Sequence, residues 1–316
     1  MKLYVTQGHE YGIGIEVFIK SCLLMKKSEL KLIKFLGYKK SVEKTLILLK
    51  LPYIIDNGCI SIAGTCIDVI WLNEINHSQS FTSLEHAMRL AESGGILFTL
   101  PTSKDQFPGF PGHTEYFRSY YHKKDLAMFF SSPKLQILLL SDHLPIKNVP
   151  NALTENVIYD RMSLAINSLR KWNWPINKIL ISGINPHAGE NGLIGDEDSR
   201  ISVVVKRLKA EFKLEVAGPI PGDTMVLEKK SPHDLLVYLF HDQGLGVFKA
   251  LQGFIGSNIT LGLSYPRFSP DHGTSFGLFG KNIADYRGCA FSLKQALNLL
   301  KKVSHGKNSS HQSQGT

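Results

Sequence analysis

At 316 residues, 43% hydrophobic and 20% charged, the chain has enough apolar material for two packed units or one large α/β body, which excludes a disordered or fibrous protein. A formal net charge of +9 favours anionic partners such as phosphorylated metabolites or nucleotides. The excess is scattered over residues such as Lys26, Lys27, Lys39 and Lys40, without a helix-turn-helix, zinc-finger or aromatic RNA-binding pattern, so no nucleic-acid partner is expected.

In chain order, short β-rich runs alternate with helical patterns, the signature of βαβ units and a mostly parallel sheet. Strands are predicted over Leu3–Thr6, Leu30–Phe35, Gly95–Leu100, Leu135–Leu140, Lys178–Ser182, Leu235–Phe240 and Asn258–Gly262. Helices are predicted over Leu84–Ser93, Ala152–Trp172, Ser199–Phe212 and Leu293–Val303, each with apolar residues at helical spacing. Residues 306–316 are polar and aperiodic and read as a disordered tail. No apolar run reaches membrane-spanning length. Cys22, Cys59, Cys66 and Cys289 are widely spaced and lack a CxxC pair, so neither a disulfide framework nor a thiolate metal site is expected. These features fit a cytoplasmic protein with no membrane association.

Three of the predicted strands are followed within a few residues by a histidine: His143 in SDHLP, His187 in GINPHAGENG and His241 in HDQG. Ligands of open α/β sheets bind outside the carboxyl ends of the strands, and three imidazoles delivered there could hold one divalent metal ion. Each histidine taken alone reads more readily as a loop residue that caps a strand by hydrogen bonding, and it is the recurrence at three strand ends that favours the metal reading. Asp142 and Asp242 adjoin two of them and could orient an imidazole. His113 and Thr114 of GHTE offer small directed donors, with Thr114 also suited to cap a helix starting at Glu115. Lys249, Asn258 and Arg267 add two cations and an amide, a set that suits a phosphate and carboxylate substrate. In TQGHEYGIGIE, Gly8, Gly12 and Gly14 lie between a strand and a helix without the G-x-G-x-x-G register.

Taken together, GINPHAGENGLIGDED, GPIPGDT, HDQGLGVFKAL, NITLGL and SPDHGTSFGLFGK resemble the 4-hydroxythreonine-4-phosphate dehydrogenase family of pyridoxal phosphate biosynthesis, in that order and over nearly the whole chain. The resemblance implies an isocitrate/isopropylmalate dehydrogenase-like fold: two α/β/α lobes with mostly parallel sheets and a central cleft, in a homodimer with shared active sites. The expected lobes are 1–115 with 258–305, on the cofactor side, and 116–257, on the metal and dimer side. The resemblance assigns one divalent ion (Zn, Mg or Co) to His143, His187 and His241. It assigns substrate contacts to His113, Thr114, Lys249, Asn258 and Arg267, and catalytic roles to Asp242 and Lys249. NAD or NADP is expected against Gly12 and Gly14 and against Asp271, His272 and Gly273. The implied reaction is oxidation and decarboxylation of 4-phosphooxy-L-threonine to 3-amino-2-oxopropyl phosphate; a dehydrogenase of threonate or erythronate phosphate and a catalytically weakened binding relative are the alternatives. The chain departs from the family at TQGHEYGIG, where T-P-G-E-P-A-G-I-G is usual, in TLPTSK, which keeps Lys104 but loses a glycine, and at Gly277, where relatives place an acidic residue.

Overall fold

The computed structural model describes residues 1–123 and 125–311, with side chains described as far as Ser304. Its strands are β1 (Leu3–Thr6), β2 (Ile33–Gly37), β3 (Tyr53–Ile55), β4 (Cys59–Ile62), β5 (Thr65–Trp71), β6 (Ile96–Phe98), β7 (Ala127–Ser131), β8 (Gln136–Leu139), β9 (Lys178–Ser182), β10 (Glu215–Ile220), β11 (Leu235–Tyr238), β12 (Ser257–Leu261) and β13 (Arg267–Pro270). Two compact units divide the chain. One takes Met1–Lys123, Phe254–Asn258 and the chain from Leu263; the other takes 125–253 and Ile259–Gly262.

In the first unit the strand order is β13-β6-β1-β2-β5-β4-β3. The five strands from β13 to β5 pair in parallel. Strands this short and apolar belong to a sheet covered on both faces. Leu3, Val5, Ile33, Phe35, Ile96 and Phe98 are accordingly buried, and Phe18, from the helix Gly14–Cys22, stacks on Phe35 at 5.0 Å between ring centroids. The edge is an antiparallel ribbon, β3-β4-β5, that the strand-helix pattern did not predict. Its tight turn is made by Ala63 and Gly64, both at positive φ, which is the conformation a two-residue hairpin needs; an Ala in the first of those places hides the signal. Cys59 and Cys66 form a disulfide within this ribbon, a correction to the expectation, from cysteine spacing, of no disulfide framework. Cys22 and Cys289 are free and buried.

The second unit is ordered β10-β9-β11-β8-β7, followed by β12, of which Ile259–Leu261 belong to this unit and Ser257 and Asn258 to the first. β8, β11, β9 and β10 run parallel, and β7 pairs antiparallel with β8. Phe130, Ile137, Leu180, Leu236, Tyr238 and Phe248 form its core on one side of the sheet. The helix Ser199–Phe212 buries Ile201, Val204, Val205, Leu208 and Phe212, an amphipathic stripe at helical spacing. Residues predicted as one helix from Ala152 divide into Val149–Ala152 and Glu155–Lys171, because Thr154 turns its hydroxyl to the Val157 amide and starts a new helix. The helix predicted from Leu84 begins earlier, at Gln79, capped by Ser78. Where a tail was expected from 306, the helix Arg287–His311 carries the backbone through 311; 312–316 lie outside the described residues.

The altered opening loop is anchored by Gln7, which is fully buried. Its Oε1 accepts from the Tyr38 amide at 2.7 Å and its Nε2 donates to Gln79 Oε1 at 2.7 Å, while its own amide donates to Ser83 Oγ at 3.0 Å. The side chain that replaces the family's proline thus ties the end of β1 to the end of β2 and to the helix Gln79–Glu92. Gln7→Leu leaves buried polar groups without partners and is expected to destabilise the protein by on the order of 2 to 3 kcal/mol. Urea unfolding checks this: the midpoint should fall while the denaturant slope stays unchanged.

Candidate active site

β9, β11 and β8 are adjacent and parallel, so all three release the chain at the same sheet edge. His143 and His241 meet there, with ring centroids 5.9 Å apart. His241 Nδ1 lies 2.7 Å from Asp242 Oδ1, a contact that fixes the ring and leaves Nε2 for a ligand. Asp242 therefore acts on its neighbouring imidazole. His187 emerges from β9 on a different kind of support. His187, Ala188, Gly189, Glu190 and Asn191 all have left-handed backbone angles, with φ between 43° and 77°. For residues other than glycine this costs about 1–2 kcal/mol each, so the surroundings must hold the turn.

Asp198 is one support. Buried at the start of the helix Ser199–Phe212, it accepts from the Ile184 amide at 2.6 Å, the Asn185 amide at 3.2 Å and Asn185 Nδ2 at 3.0 Å. Gln243, from HDQG, is the other. Its Oε1 accepts from the Leu239 amide and the Ser182 hydroxyl, and its Nε2 donates to the Gly183 carbonyl at 2.8 Å. A Cβ on Gly222 would sit 2.8 Å from that Nε2, which explains the glycine of GPIPGDT. Three sequence motifs thereby enclose a pocket of about 430 Å³ lined by Asn185, Pro186, His187, Asp223, Gln243 and Val247 among others. Asn185, Asp198, Asp223 and Gln243 are not among the residues expected from the sequence, although each lies in GINPHAGENGLIGDED, GPIPGDT or HDQG.

The His187 side chain is 70% exposed and its Nδ1 lies 3.2 Å from Glu190. Among the described residues no three His, Cys, Asp or Glu side chains are placed to hold a metal ion. The rings of His143 and His241 lie side by side, and among the described residues His187 is not grouped with them. Lys249 lies on the helix His241–Gln252 that starts at this site.

The remaining predicted residues belong to the first unit. Arg267, at the start of β13, is buried. It donates to Thr99 Oγ1 and lies 5.7 Å from the Phe117 ring. Burial lowers its pKa to about 10, partly offset by Tyr265, so it stays cationic. His113 opens the helix His113–Tyr120, whose cap is Gly112 rather than Thr114; Thr114 is buried in the first turn. The His113 ring packs edge-on to Phe107 at 4.8 Å. Burial, and then the Arg267 cation, hold its pKa well below the ordinary histidine range. Asn258 lies on β12 with its Oδ1 buried and without a hydrogen-bond partner among the described residues, an atom that a ligand's donor would satisfy.

On the glycine side, Gly12 and Gly14 have no positive φ; each is small because a neighbour is close, Gly12 to the Thr274 carbonyl and Gly14 to Leu100. Only Gly8 needs its conformation, with φ of +72° and the Pro101 carbonyl 2.6 Å from where a Cβ would stand. Ile13 donates to the Thr274 carbonyl, so the opening loop and the segment holding Asp271, His272 and Gly273 are joined. Asp271 donates its amide to the Gly256 carbonyl, and His272 Nδ1 lies 3.2 Å from the Gly273 carbonyl.

Parallel strands that carry histidines and a glycine loop at their carboxyl ends, with a buried arginine at the start of another strand, define an α/β enzyme that gathers small ligands at its sheet edges. The family described as pyridoxal phosphate biosynthetic protein PdxA matches residues 23–299, and the chain belongs to it. A 4-hydroxythreonine-4-phosphate dehydrogenase of Sulfurihydrogenibium sp. (strain YO3AOP1) is 33% identical over 96% of this chain and 99% of its own. The crystal structure of 4-hydroxythreonine-4-phosphate dehydrogenase from Klebsiella pneumoniae superposes with a TM-score of 0.80 at 29% identity, covering 95% of this chain and 99% of that one. A D-threonate 4-phosphate dehydrogenase of Salmonella typhimurium is 33% identical over 70% of this chain and 69% of its own.

Two measurements check the site. Asp198→Asn removes an acceptor from the Ile184 and Asn185 amides that lead into the left-handed turn and is expected to cost about 1–3 kcal/mol, with faster amide exchange confined to 184–192 as the local sign. His113 is held neutral in the folded state but charges in the unfolded one, so the unfolded chain binds more protons once the pH drops below about 6.5. Stability is then lost on acidification at up to about 1.4 kcal/mol per pH unit, until the folded group itself protonates. His113→Gln should flatten that slope by one proton between pH 6.5 and 5.

Proposed function

We propose that the protein oxidises the C3 hydroxyl of 4-phosphooxy-L-threonine with a nicotinamide dinucleotide, and that the resulting β-keto acid loses carbon dioxide to give 3-amino-2-oxopropyl phosphate. The observation that carries this reading is the meeting of His143 and His241 at the ends of adjacent parallel strands, in a chain of this family. Two neighbouring imidazoles, one oriented by a carboxylate, fit a divalent cation. Held by these histidines, such an ion would supply Lewis-acid polarisation of a substrate oxygen. The third ligand in this reading is His187, whose exposed ring is free to serve a second copy, so the site is completed in a homodimer.

The chain's own residues do the rest. Arg267, already stripped of water, binds an anionic end of the substrate, and neutral His113 and the Thr114 hydroxyl contribute uncharged hydrogen bonds. Asn258 Oδ1 accepts from a substrate donor. Lys249 lies on the helix that begins with His241, binds the other anionic end and serves as the proton-transfer group in this reading. Asp242 is a positioning residue. Energy from the non-reacting phosphate orients the carbon that gives up hydride. A D-threonate phosphate is a second substrate class, favoured by the equal identity of the Salmonella relative.

Reduction of NAD on addition of 4-phosphooxy-L-threonine, abolished by chelator and restored by a divalent cation, is the expected result; turnover of threonate phosphate alone would assign the second substrate. Sharing of the site has its own test. His187→Ala and His143→Ala are each expected to be inactive, but mixing the two re-forms one intact site per heterodimer and should recover roughly a quarter of native activity at random pairing. No recovery from well-mixed subunits would place all three ligands in one copy.

A further inference from the structure

The first unit carries a second feature that the chemistry above does not use. Its sheet has a topological switch at β1: β2 and β5 lie on one side and β6 and β13 on the other. Crevices outside the carboxyl end of such a strand are where open α/β sheets take ligands. Three segments meet at this one. His9 and Tyr11 come from the loop after β1, Lys44 from the helix Lys39–Leu48 after β2, and Phe276 and Phe279 from the segment after β13. The Lys44 ammonium lies 4.4 Å from the centroid of the Tyr11 ring and 5.5 Å from that of Phe279. Tyr11 and Phe279 meet edge to face at 5.9 Å, and His9 and Phe276 do the same at 4.8 Å.

The arrangement is open on its outer side. Tyr11 and Phe276 are about half exposed, at 50% and 49%, and nothing stands within 4 Å of where a Cβ would project from Gly273 or Gly277. It is anchored underneath: Leu48 packs against Gly280, the Asn282 side chain donates to the Leu49 carbonyl, and Glu16 accepts from the Ala284 amide. Glu43 turns toward Lys39, 3.9 Å away, and among the described residues no carboxylate pairs with Lys44. An ammonium held over two rings, with its charge uncompensated, faces a shelf of half-exposed aromatic surface. Flat aromatic faces stack on bases, and an ammonium is the partner of a phosphate.

We propose that Lys44 is the residue that reads the 2′-phosphate of NADP, with Tyr11, Phe276 and Phe279 forming the surface on which the adenosine rests. The proposal builds on the nicotinamide-dinucleotide reading of this chain and specifies which dinucleotide it prefers. Gly277 contributes by leaving no carboxylate on the same segment to repel that phosphate.

The test is calorimetric titration of the intact protein with 2′,5′-ADP and with 5′-AMP, which differ by the phosphate in question, so that the readout is binding and not turnover. The expected result is that 2′,5′-ADP binds tighter by about tenfold or more. Lys44→Ala should bring the two nucleotides to equal affinity, Lys44→Arg should keep the difference, and Lys44→Glu should reverse it. Gly277→Asp should reduce the difference through repulsion while the protein remains folded, since the position is open. Equal affinities in the native protein, or a difference that survives Lys44→Ala, would overturn the role of Lys44 and leave the dinucleotide reading standing. Absence of binding by NAD, NADP and both nucleotides would overturn the two together.

Discussion

Parallel pairing of β8, β11 and β9 is the constraint on which the second unit's chemistry rests. Parallel neighbours need a crossover connection, and crossovers return every strand in the same direction. Three chain exits therefore fall at one edge whatever the connecting helices contain. The residues that leave those exits are short: His241 stands three positions after Tyr238, His143 four after Leu139 and His187 five after Ser182. With so little chain between strand and side chain, the sheet sets the spacing of the imidazoles.

That economy explains why the longest of the three exits is also the most strained. The turn from His187 to Asn191 holds a backbone shape that most L residues avoid, and the segment that leads into it is fixed because Asp198 and Gln243 occupy the polar groups of Ser182, Gly183, Ile184 and Asn185. Gln243 also bonds to the ends of two strands at once, so motions of the His187 loop and of the helix bearing His241 are coupled through one amide. Strain of this kind is concentrated where a side chain must be presented in a set direction.

The alternation of apolar runs and helical stripes made the parallel strands and the helix Ser199–Phe212 legible in the sequence, since burial on both faces leaves unbroken hydrophobic runs. The ribbon β3-β4-β5 was not legible: its strands are short, lie at an edge, and turn through Ala63, which lacks the usual hairpin signature. At the site, the histidines were visible as strand-end residues, but whether they gather depends on tertiary placement, which spacing along the chain does not carry. Gln7 shows the converse. Read against the family pattern it is a departure in a cofactor loop; in the fold it is a buried link between strands, and its three hydrogen bonds are with groups far away in sequence. The Lys44 cluster was invisible for the same reason, being assembled from three segments separated by most of the unit.

Arg267 illustrates what burial does to a charge before any ligand arrives. Its guanidinium gives up its hydration during folding and is supported by Thr99 and the Phe117 face. An anion that reaches it meets a cation from which little water remains to be removed, in surroundings where dissolved salt screens poorly. Ionic strength should therefore act mainly on the approach of an anion across the basic surface and little on the hold once contact is made, so that added salt changes the rate of capture more than the lifetime of the complex.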